Sequence, residues 1–419
     1  MARRAAAVSP LRRIARYSLT LFSGDAASRV LLFLFTVWVA RRVGPTPFGL
    51  LTFAQAVLGY LLLVSDGGLA TYGVREVSAA GAARRPAWVG ITQLRSALAL
   101  ALVVVALAVV ALARPAPLTA AVMSAMLALA LPLGMLPDWA CRGLGRMGLA
   151  AGLGVLQSAL ALGAVLLLVH GPGQLVVVPL ARFAAAAVTV VAAFVLLRAN
   201  PWWGAAAREG RAWLRRQGVA RLLRSGAFLL SANAAVLAVN NADALLLKLL
   251  KDDQVVGLYG SAYRIIQLPM AAFYALTASA LPVLTQLERE GAGARSTVRR
   301  LVALAAGGGL LVAVLLWLLR GPVIHLLYGR EYAAAGGALG VLAFAIPLDF
   351  VVSVKGVSYI ARGREKEVLG YVAAAAAANV LANLALIPRF GMMAAAWTTV
   401  GTYVLLLGSY VLFLDARRT

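Results

Sequence analysis

Long apolar runs, separated by short polar turns, follow one another along almost the whole chain. A helix needs about 20 apolar residues to cross the hydrocarbon core of a bilayer, and twelve runs reach about that length. Turn residues such as Gly44-Pro45 and the Gly and Pro of 170–173 separate them. The pattern predicts membrane-spanning helices at roughly 19–40, 48–68, 88–113, 117–139, 148–169, 174–197, 222–247, 255–284, 301–319, 335–360, 367–387 and 391–413.

The composition agrees with this pattern. The 419 residues are 62% hydrophobic and 13% charged, with a mean hydropathy of +0.88. Soluble globular proteins carry about 25% charged residues. Because the apolar excess extends over the whole length, the sequence predicts an all-α polytopic membrane protein, and it excludes a soluble domain with a single anchor.

The basic residues fall mainly on one side of the predicted helices. A net charge of +24 would favour nucleic acid binding in a soluble protein, but cytoplasmic loops of membrane proteins collect Lys and Arg. With the N-terminus placed in the cytoplasm, 26 of the 39 Lys and Arg residues lie in cytoplasmic segments and 8 in outer loops. The bias predicts that both termini are cytoplasmic, and it explains the charge without nucleic acid.

The longest predicted loop, 198–221, lies in the middle of the chain. Three Trp residues, at 202, 203 and 213, lie there among seven Arg residues between 198 and 224. Trp at the headgroup level and Arg facing anionic lipid are typical of a segment on the inner membrane surface. We therefore expect an N-lobe at 1–197, an interfacial cytoplasmic linker at 198–221 and a C-lobe at 222–419, with six helices in each lobe.

Short motifs recur in the same order in the two halves. Phe48-Gly49-Leu50 falls on Val256-Gly257-Leu258 at an offset of 208, and Ala130-Leu131-Pro132-Leu133 resembles Ala345-Ile346-Pro347-Leu348 at an offset of 215. Six helices is an even number, so both halves would enter the membrane from the same side. The sequence therefore predicts a pseudo-twofold repeat about an axis along the membrane normal, with a cavity between the lobes.

Several of these stretches resemble one known family. The stretch VARRVGPTPFGLLTFAQAV, the run LPDWACRGLGRM at 136–147, the start of the second half with its Asn-x-x-Asp, VIHLLYGREYAAA at 323–335 and ANLALIPRFGMMAAAWTT at 382–399 are similar to Wzx-type polysaccharide flippases. These belong to the multidrug/oligosaccharidyl-lipid/polysaccharide (MOP) exporter superfamily, with the MATE transporters and the lipid II flippase MurJ. The resemblance implies a V-shaped pair of six-helix lobes that moves undecaprenyl-diphosphate-linked sugars; MurJ typically has two further helices.

Ionisable side chains inside the predicted spans are the main candidates for substrate binding. Each costs about 2.5–3.5 kcal/mol on insertion scales, so they usually face protein or water. Arg29 lies near the midplane of the first span, one turn from Asp25, and the two form either a neutral structural pair or part of a cavity wall. Arg264 has no acidic residue three or four positions away, which favours anion binding, and Arg182 is a shallower candidate. Guanidinium groups suit a diphosphate because they donate paired hydrogen bonds.

The seventh predicted span is unusually polar, with Asn233, Asn240 and Asp243 near one face. The repeat places Asn233 on Asp25, so the first and seventh spans are expected to face each other across the cleft. These side chains either join helices by hydrogen bonds or contact sugar or a cation. Asp349 in the tenth span and Asp25 are the candidates for a proton or sodium coupling site.

The sequence contains no motif for an ATPase, a metal centre or a catalytic group. There is no Gly-x-x-x-x-Gly-Lys-Ser/Thr loop. The two histidines, His170 and His325, are isolated, and the single Cys141 excludes an intramolecular disulfide. We expect a transporter and not an enzyme, without metal or organic cofactor, coupled to the membrane potential, protons or sodium.

The sequence thus suggests a flippase of the bacterial cytoplasmic membrane. It would move an undecaprenyl-diphosphate-linked oligosaccharide by alternating access, for a cell-surface polysaccharide such as O-antigen, lipopolysaccharide or exopolysaccharide. Its expected partners are that lipid-linked substrate, membrane lipids, and glycan polymerases or glycosyltransferases. One alternative is a MATE-like antiporter of cations or drugs, which the mid-depth arginines disfavour. Another is a membrane-embedded polysaccharide polymerase, which the short outer loops disfavour.

Overall fold

The computed structural model describes residues 10–415, apart from residues 80, 82–83 and 291–293, and its side chains from residue 23 onward, except at 278, 294 and 415. These residues form helices joined by short turns, with no β-strand in the described part of the chain. Twelve helices among them are long and apolar enough to cross a membrane. The predicted all-α polytopic fold is therefore confirmed.

The described residues of the first half form nine α-helices, of which three are the pieces of one interrupted span, Pro117–Gly143. The short α3 and the six spans follow in the order α1 (Pro10–Val43), α2 (Pro45–Asp66), α3 (Leu69–Ala79), α4 (Arg84–Ala113), α5 (Pro117–Ala128), α6 (Ala130–Met135), α7 (Asp138–Gly143), α8 (Met147–Leu168) and α9 (Val177–Leu197).

The second half repeats this arrangement after a connecting helix, α10. Its helices are α10 (Gly204–Gln217), α11 (Val219–Leu250), α12 (Asp253–Glu290), α13 (Ala294–Leu318), α14 (Arg320–Tyr328), α15 (Ala335–Leu342), α16 (Ala345–Ala361), α17 (Glu365–Phe390) and α18 (Met392–Ser409). The seventh span begins at Val219, slightly before the predicted boundary, and the eighth continues to Glu290 through Pro269 and Pro282. The division into two lobes and a linker stays a prediction.

Each half interrupts one span at the same place in the repeat. In the first half α6 begins at Ala130, two residues before Pro132, and in the second α16 begins at Ala345, two residues before Pro347. Proline has no N–H, so it cannot donate to the carbonyl four residues earlier and the helix is interrupted there. The equivalent breaks support the duplication that the sequence predicts.

The two halves meet along α2, which packs against α11 and α12. At one end of α2 the backbones touch at two glycines: an ideal Cβ on Gly49 would lie 1.7 Å from the Asp253 carbonyl oxygen, and one on Gly257 would lie 2.0 Å from the Pro45 carbonyl oxygen. At the other end, a Cβ on Gly68 would lie 2.4 Å from the Gly226 carbonyl oxygen. Only glycine allows either crossing.

We call the end with the Gly68–Gly226 crossing the basic end, because the predicted cytoplasmic turns lie there, and the other end the opposite end. A tyrosine seals the opposite end. Tyr332 is fully buried, donates to the Ala40 carbonyl of α1 at 2.9 Å, and meets the Phe48 ring with a centroid distance of 6.2 Å. The halves are therefore tightly joined there. The terminal basic residues Arg3, Arg4, Arg417 and Arg418 lie outside the described residues, so the predicted membrane orientation stays a prediction.

The connecting helix α10 is amphipathic. Its buried face, which includes Gly210 and Trp213, packs on α4, and Gln93 of α4 donates to the Ala207 carbonyl at 3.1 Å. Its Arg side chains, including Arg208 and Arg211, are exposed. This helix has the polarity expected of a segment on a membrane surface.

Candidate functional site

The described residues enclose a cleft between the two halves, bordered by α1, α2 and α9 on one side and by α12 on the other. It consists of two adjoining cavities that share Leu32, Thr36 and Arg264. Arg182 lines the first cavity and Arg29 lines the second. The structure thus brings three of the predicted site residues, far apart in sequence, to one cleft. We call it the central cleft.

Arg182 is held at the wall of the central cleft by polar and aromatic contacts. Its Nη1 donates to Gln55 Oε1 of α2, and its guanidinium lies 6.0 Å from the centre of the Phe35 ring. The amide oxygen is a neutral acceptor, so it positions the guanidinium without cancelling its charge. Arg182 therefore keeps donors available for an anion.

Arg264 projects from α12 at the junction of the two cavities. Its Nη1 donates to Gln267 Oε1, one turn further along α12, at 3.3 Å. Like Arg182, it has no ion-pair partner among the described residues, and both side chains line the first cavity. Two such cations in a membrane protein are stable only where water or an anion solvates them.

Arg29 reaches the central cleft from α1 and pairs with Asp25 at 3.6 Å. The two side chains are 51% and 62% exposed, so the pair is open to its surroundings and not locked in the core. No carboxylate is among the described residues that line the two cavities. Even with Asp25 counted, the three arginines leave the central cleft positively charged.

A second polar site lies inside the second half, around Asp243. This carboxylate of α11 is 1% exposed and accepts hydrogen bonds from Tyr259 of α12 at 2.5 Å, Asn383 of α17 at 2.6 Å and Thr399 of α18 at 2.8 Å. Asn383 also donates to Asn379 at 3.0 Å and accepts from Thr398 at 2.6 Å. We call this group the Asp243 cluster.

The Asp243 cluster is rich in oxygen ligands and has no cationic partner among the residues that the structure describes. The three groups that hydrogen-bond to Asp243 are a phenol, an amide and a hydroxyl, all neutral. A buried carboxylate with neutral partners is costly unless a proton or a cation neutralises it. Carboxylate, amide and hydroxyl oxygens suit a hard monovalent cation as well as a proton.

Two tyrosines of α12 connect the Asp243 cluster with the neighbourhood of the central cleft. Tyr259 and Tyr263 stack with a centroid distance of 5.7 Å, and Tyr263 donates to Asn240 of α11 at 3.1 Å. Arg264 follows Tyr263 directly in the sequence. A rearrangement at Asp243 that moves α12 would therefore also move Arg264.

The remaining predicted site residues lie elsewhere. Asp349 of α16 lies near Tyr403 of α18, inside the second half. Asn233 is exposed on α11, outside the lining of the central cleft. The lining residues from the second half belong to α12 and not to the seventh span, which was expected to face the first across the cleft. Asp243 likewise faces the interior of its own half. Its placement favours coupling over sugar contact.

Sequence reasoning missed the neutral residues that hold these groups. Gln55 and Gln267 position the arginines, and Asn379, Asn383 and Thr399 complete the Asp243 cluster. A signal for the cluster was present, because Asn379 and Asn383 are four residues apart in an alanine-rich span and so share one helix face. No local pattern indicates Gln55.

The fold is similar to that of solved transporters of the MOP exporter superfamily. It superposes on an inward-facing MATE multidrug resistance transporter with a TM-score of 0.71 and 17% identity, covering 93% of this chain and 94% of that one. For the lipid II flippase MurJ in an inward closed conformation the TM-score is 0.71 with 14% identity, covering 94% and 87%. An outward-facing MATE structure gives 0.62 with 16% identity, covering 97% and 95%.

A match to a family model identifies the protein family of the chain. The family model for polysaccharide biosynthesis proteins matches residues 14–288, and the chain belongs to that family. No curated protein matches the sequence. The predicted membership of the MOP superfamily is confirmed, and the chain is a multi-pass membrane protein of a transporter class.

Proposed function

We propose that the protein is a flippase for a polyprenyl-diphosphate-linked oligosaccharide, acting in the bacterial cytoplasmic membrane for the synthesis of a cell-surface polysaccharide. The observation that carries this proposal is the meeting of Arg29, Arg182 and Arg264 in the central cleft. The cleft is positive, lies between two membrane-embedded halves, and offers several N–H donors in forked pairs. A dianionic diphosphate matches both the charge and the donors.

The geometry supports separate locations for the headgroup and the polyprenyl chain of the substrate. The diphosphate and sugars would occupy the central cleft, and the polyprenyl chain would stay in lipid between the halves. Tyr332 and the Gly49–Gly257 crossing close the opposite end, and the second cavity extends toward the basic end as far as Arg29 and Ala271. We assign the basic end to the cytoplasm, where the substrate is made, and rocking of the halves then exposes the headgroup outside.

The Asp243 cluster is our candidate for energy coupling. A proton or sodium ion on Asp243 would neutralise a buried charge and change the contacts of Tyr259, and through α12 the position of Arg264. The membrane potential acts in the same direction, since it favours outward movement of an anionic headgroup by about 2.3 kcal/mol per charge per 100 mV. No ATPase or catalytic step is required.

A cation antiporter shares the fold, but its cleft must attract a positive drug. The three arginines would repel one, which favours the anionic substrate. A polymerase would need catalytic groups next to a glycosidic bond, and the central cleft offers arginines and amides instead. Transport of a cationic dye by the reconstituted protein, without transport of a lipid-linked sugar, would favour the antiporter.

The test uses proteoliposomes containing the full chain and a fluorescent undecaprenyl-diphosphate-linked oligosaccharide. Headgroup movement is followed by quenching from outside. Arg264→Ala should abolish movement, and Arg264→Lys, which keeps the charge but loses the fork, should weaken binding about 10- to 100-fold, since charge-assisted hydrogen bonds contribute about 1.5–3 kcal/mol. Arg41→Ala is the matched control, because Arg41 is exposed at the end of α1 and does not line the central cleft.

The purified variants are compared by gel filtration and thermal unfolding, so a folding defect is recognised. Normal translocation by folded Arg264→Ala would show that Arg264 does not have the proposed role in diphosphate binding. Absence of translocation by the unaltered protein, with this substrate and with shorter glycans, would remove the proposed function itself.

A further inference from the structure

A second basic cavity lies in the second half, away from the central cleft. It opens at the basic end between α13 and α16 and has a volume of about 270 Å³. Four cationic side chains line it: Arg295 and Arg299 from α13, Lys355 from α16, and Arg362 just after α16. Ser358 and Tyr359 supply hydroxyl groups.

Ion pairing leaves part of the positive charge of this cavity in place. Arg362 pairs with Glu288 at 2.6 Å, which neutralises one cation. Arg295 and Arg299 are exposed and have no ion-pair partner among the described residues. No carboxylate is among the described residues that line the cavity. Basic cavities between transmembrane helices near the inner surface are typical binding places for phosphate-containing headgroups.

An apolar cavity of about 220 Å³ lies near the basic one, between α12, α13 and α16. Its lining includes Phe273 and Leu284 of α12, Leu301 and Ala305 of α13, and Val354 and Val357 of α16. On α13 and α16, neighbouring residues line the two different cavities. Leu301 precedes Val302 of the basic cavity, Val354 precedes Lys355, and Val357 precedes Ser358.

The two cavities are ordered by depth. The helix α13 starts at the basic end, so Leu301 and Ala305 lie about one to two turns further into the membrane than Arg295 and Arg299, at 1.5 Å per residue. A molecule that fills both cavities therefore carries an anionic head at the interface and an apolar chain directed inward. That is the structure of a membrane lipid with a phosphate headgroup.

We propose that this crevice is a loading site for the lipid-linked substrate, which binds the diphosphate in the basic cavity and the first isoprene units in the apolar one before the headgroup enters the central cleft. The inference rests on the proposed function and names a second subsite for the same substrate. The net positive charge of the basic cavity matches a dianionic diphosphate better than the single charge of phosphatidylglycerol. The slot between three helices also suits one chain better than two.

The helix α12 lies between the loading site and the central cleft, with one face toward each. Phe273 lines the apolar cavity and Arg264 lines the central cleft, nine residues apart, or about 14 Å along the helix. Nine residues at 3.6 per turn also place the two side chains on opposite faces of α12. The headgroup therefore passes around α12 at the basic end when it moves from Arg295 and Arg299 toward Arg264. The loading site therefore raises the local substrate concentration and contributes little to the movement step.

The first experiment compares the double variant Arg295→Gln/Arg299→Gln with the matched control Arg300→Gln, whose exposed side chain lies on the same turn of α13 outside the cavity. Binding of radiolabelled undecaprenyl diphosphate to the full chain in phosphatidylcholine nanodiscs should weaken about tenfold in the double variant only. In the translocation assay its KM should rise about tenfold while kcat stays within twofold of the unaltered protein.

The second variant blocks the apolar cavity. Ala280→Trp fills part of its volume and should raise KM for the undecaprenyl-linked substrate but not for an analogue with a two-isoprene chain. Unchanged binding and KM in the double variant would overturn the loading site. So would displacement of the label by phosphatidylglycerol as effective as displacement by unlabelled undecaprenyl diphosphate. If the unaltered protein moves the substrate and the double variant equals it, only the loading site fails, whereas an inactive unaltered protein removes the proposed function.

Discussion

Gly49 and Gly257 occupy equivalent positions in the two halves, 208 residues apart, and each lies against the other's helix. The contact is reciprocal: a Cβ on Gly49 would meet the Asp253 carbonyl, and one on Gly257 would meet the Pro45 carbonyl, which is 208 residues before Asp253. Reciprocal contacts of this kind characterise the axis of a twofold interface. The pseudo-twofold axis of the molecule therefore passes through this crossing.

We expect Gly257→Ala to open the opposite end. The added Cβ would lie 2.0 Å from the Pro45 carbonyl oxygen, so the helices must separate. Overpacking costs about 1–3 kcal/mol, which shifts a closed–open equilibrium about tenfold or more. Thr52→Cys, on α2 beside this crossing, reports the opening by its rate of labelling with an impermeant maleimide from outside.

The native Cys141 is fully buried, so its background labelling should be low. Gly59→Ala is the control on the same helix, because its Cβ would only meet Leu237 at an ordinary 3.7 Å. Equal labelling of Thr52→Cys in the Gly257→Ala and Gly59→Ala backgrounds would contradict a closed crossing.

A second prediction concerns Gln55, the neutral residue that accepts a hydrogen bond from Arg182. Gln55→Glu would place a carboxylate against this guanidinium and cancel its charge, so binding of undecaprenyl diphosphate should weaken about tenfold. Gln55→Leu should retain binding, because the charge remains, while the protein loses about 1–3 kcal/mol of stability from the unpaired donor. Binding in nanodiscs and thermal unfolding separate the two effects. Unweakened binding by Gln55→Glu would exclude Arg182 from the anion site.

If Asp243 couples transport to an ion gradient, its replacement should abolish the response to that gradient. Asp243→Asn preserves the shape of the side chain and most of its hydrogen bonds but cannot bind a proton or balance a cation. We expect a folded protein whose transport no longer responds to imposed proton or sodium gradients, although it still responds to the membrane potential. Asp25→Asn is the comparison, because that carboxylate is 62% exposed. A gradient response that persists in Asp243→Asn and disappears in Asp25→Asn would move the coupling site to α1.

An ion pair at the basic end should contribute to stability. Arg95 of α4 lies 2.9 Å from Asp66 at the end of α2, and the side chains are 11% and 21% exposed. Arg95→Met leaves the carboxylate with the Ala70 N–H as its remaining partner, at a cost of about 1–3 kcal/mol. The apparent melting temperature should fall by several degrees, and that of Arg85→Met, an exposed neighbour, should not. Equal melting temperatures would show that the pair is energetically neutral.

The sequence predicted the features that depend on local pattern. The twelve spans follow from run length. The paired helix breaks before Pro132 and Pro347 lie inside spans that the pattern predicts as continuous, although a missing N–H acts within one turn. The arginines were found because charge in an apolar run is visible in one dimension. The partners of these groups were not predicted, since Arg182 and Gln55 are 127 residues apart and Asp243 and Thr399 are 156 apart. Such pairs depend on which helices pack together, and each packing face is set by the whole bundle.

Because the halves cross at glycines at both ends of α2, this helix can rotate about either end. Its 22 residues span about 33 Å, and either crossing can serve as the pivot while the other parts. A rotation of about 15°, as seen in other rigid-body transitions, would separate the far crossing by about 9 Å. That gap is close to the width of a helix, and it forms without breaking a single hydrogen bond inside α2.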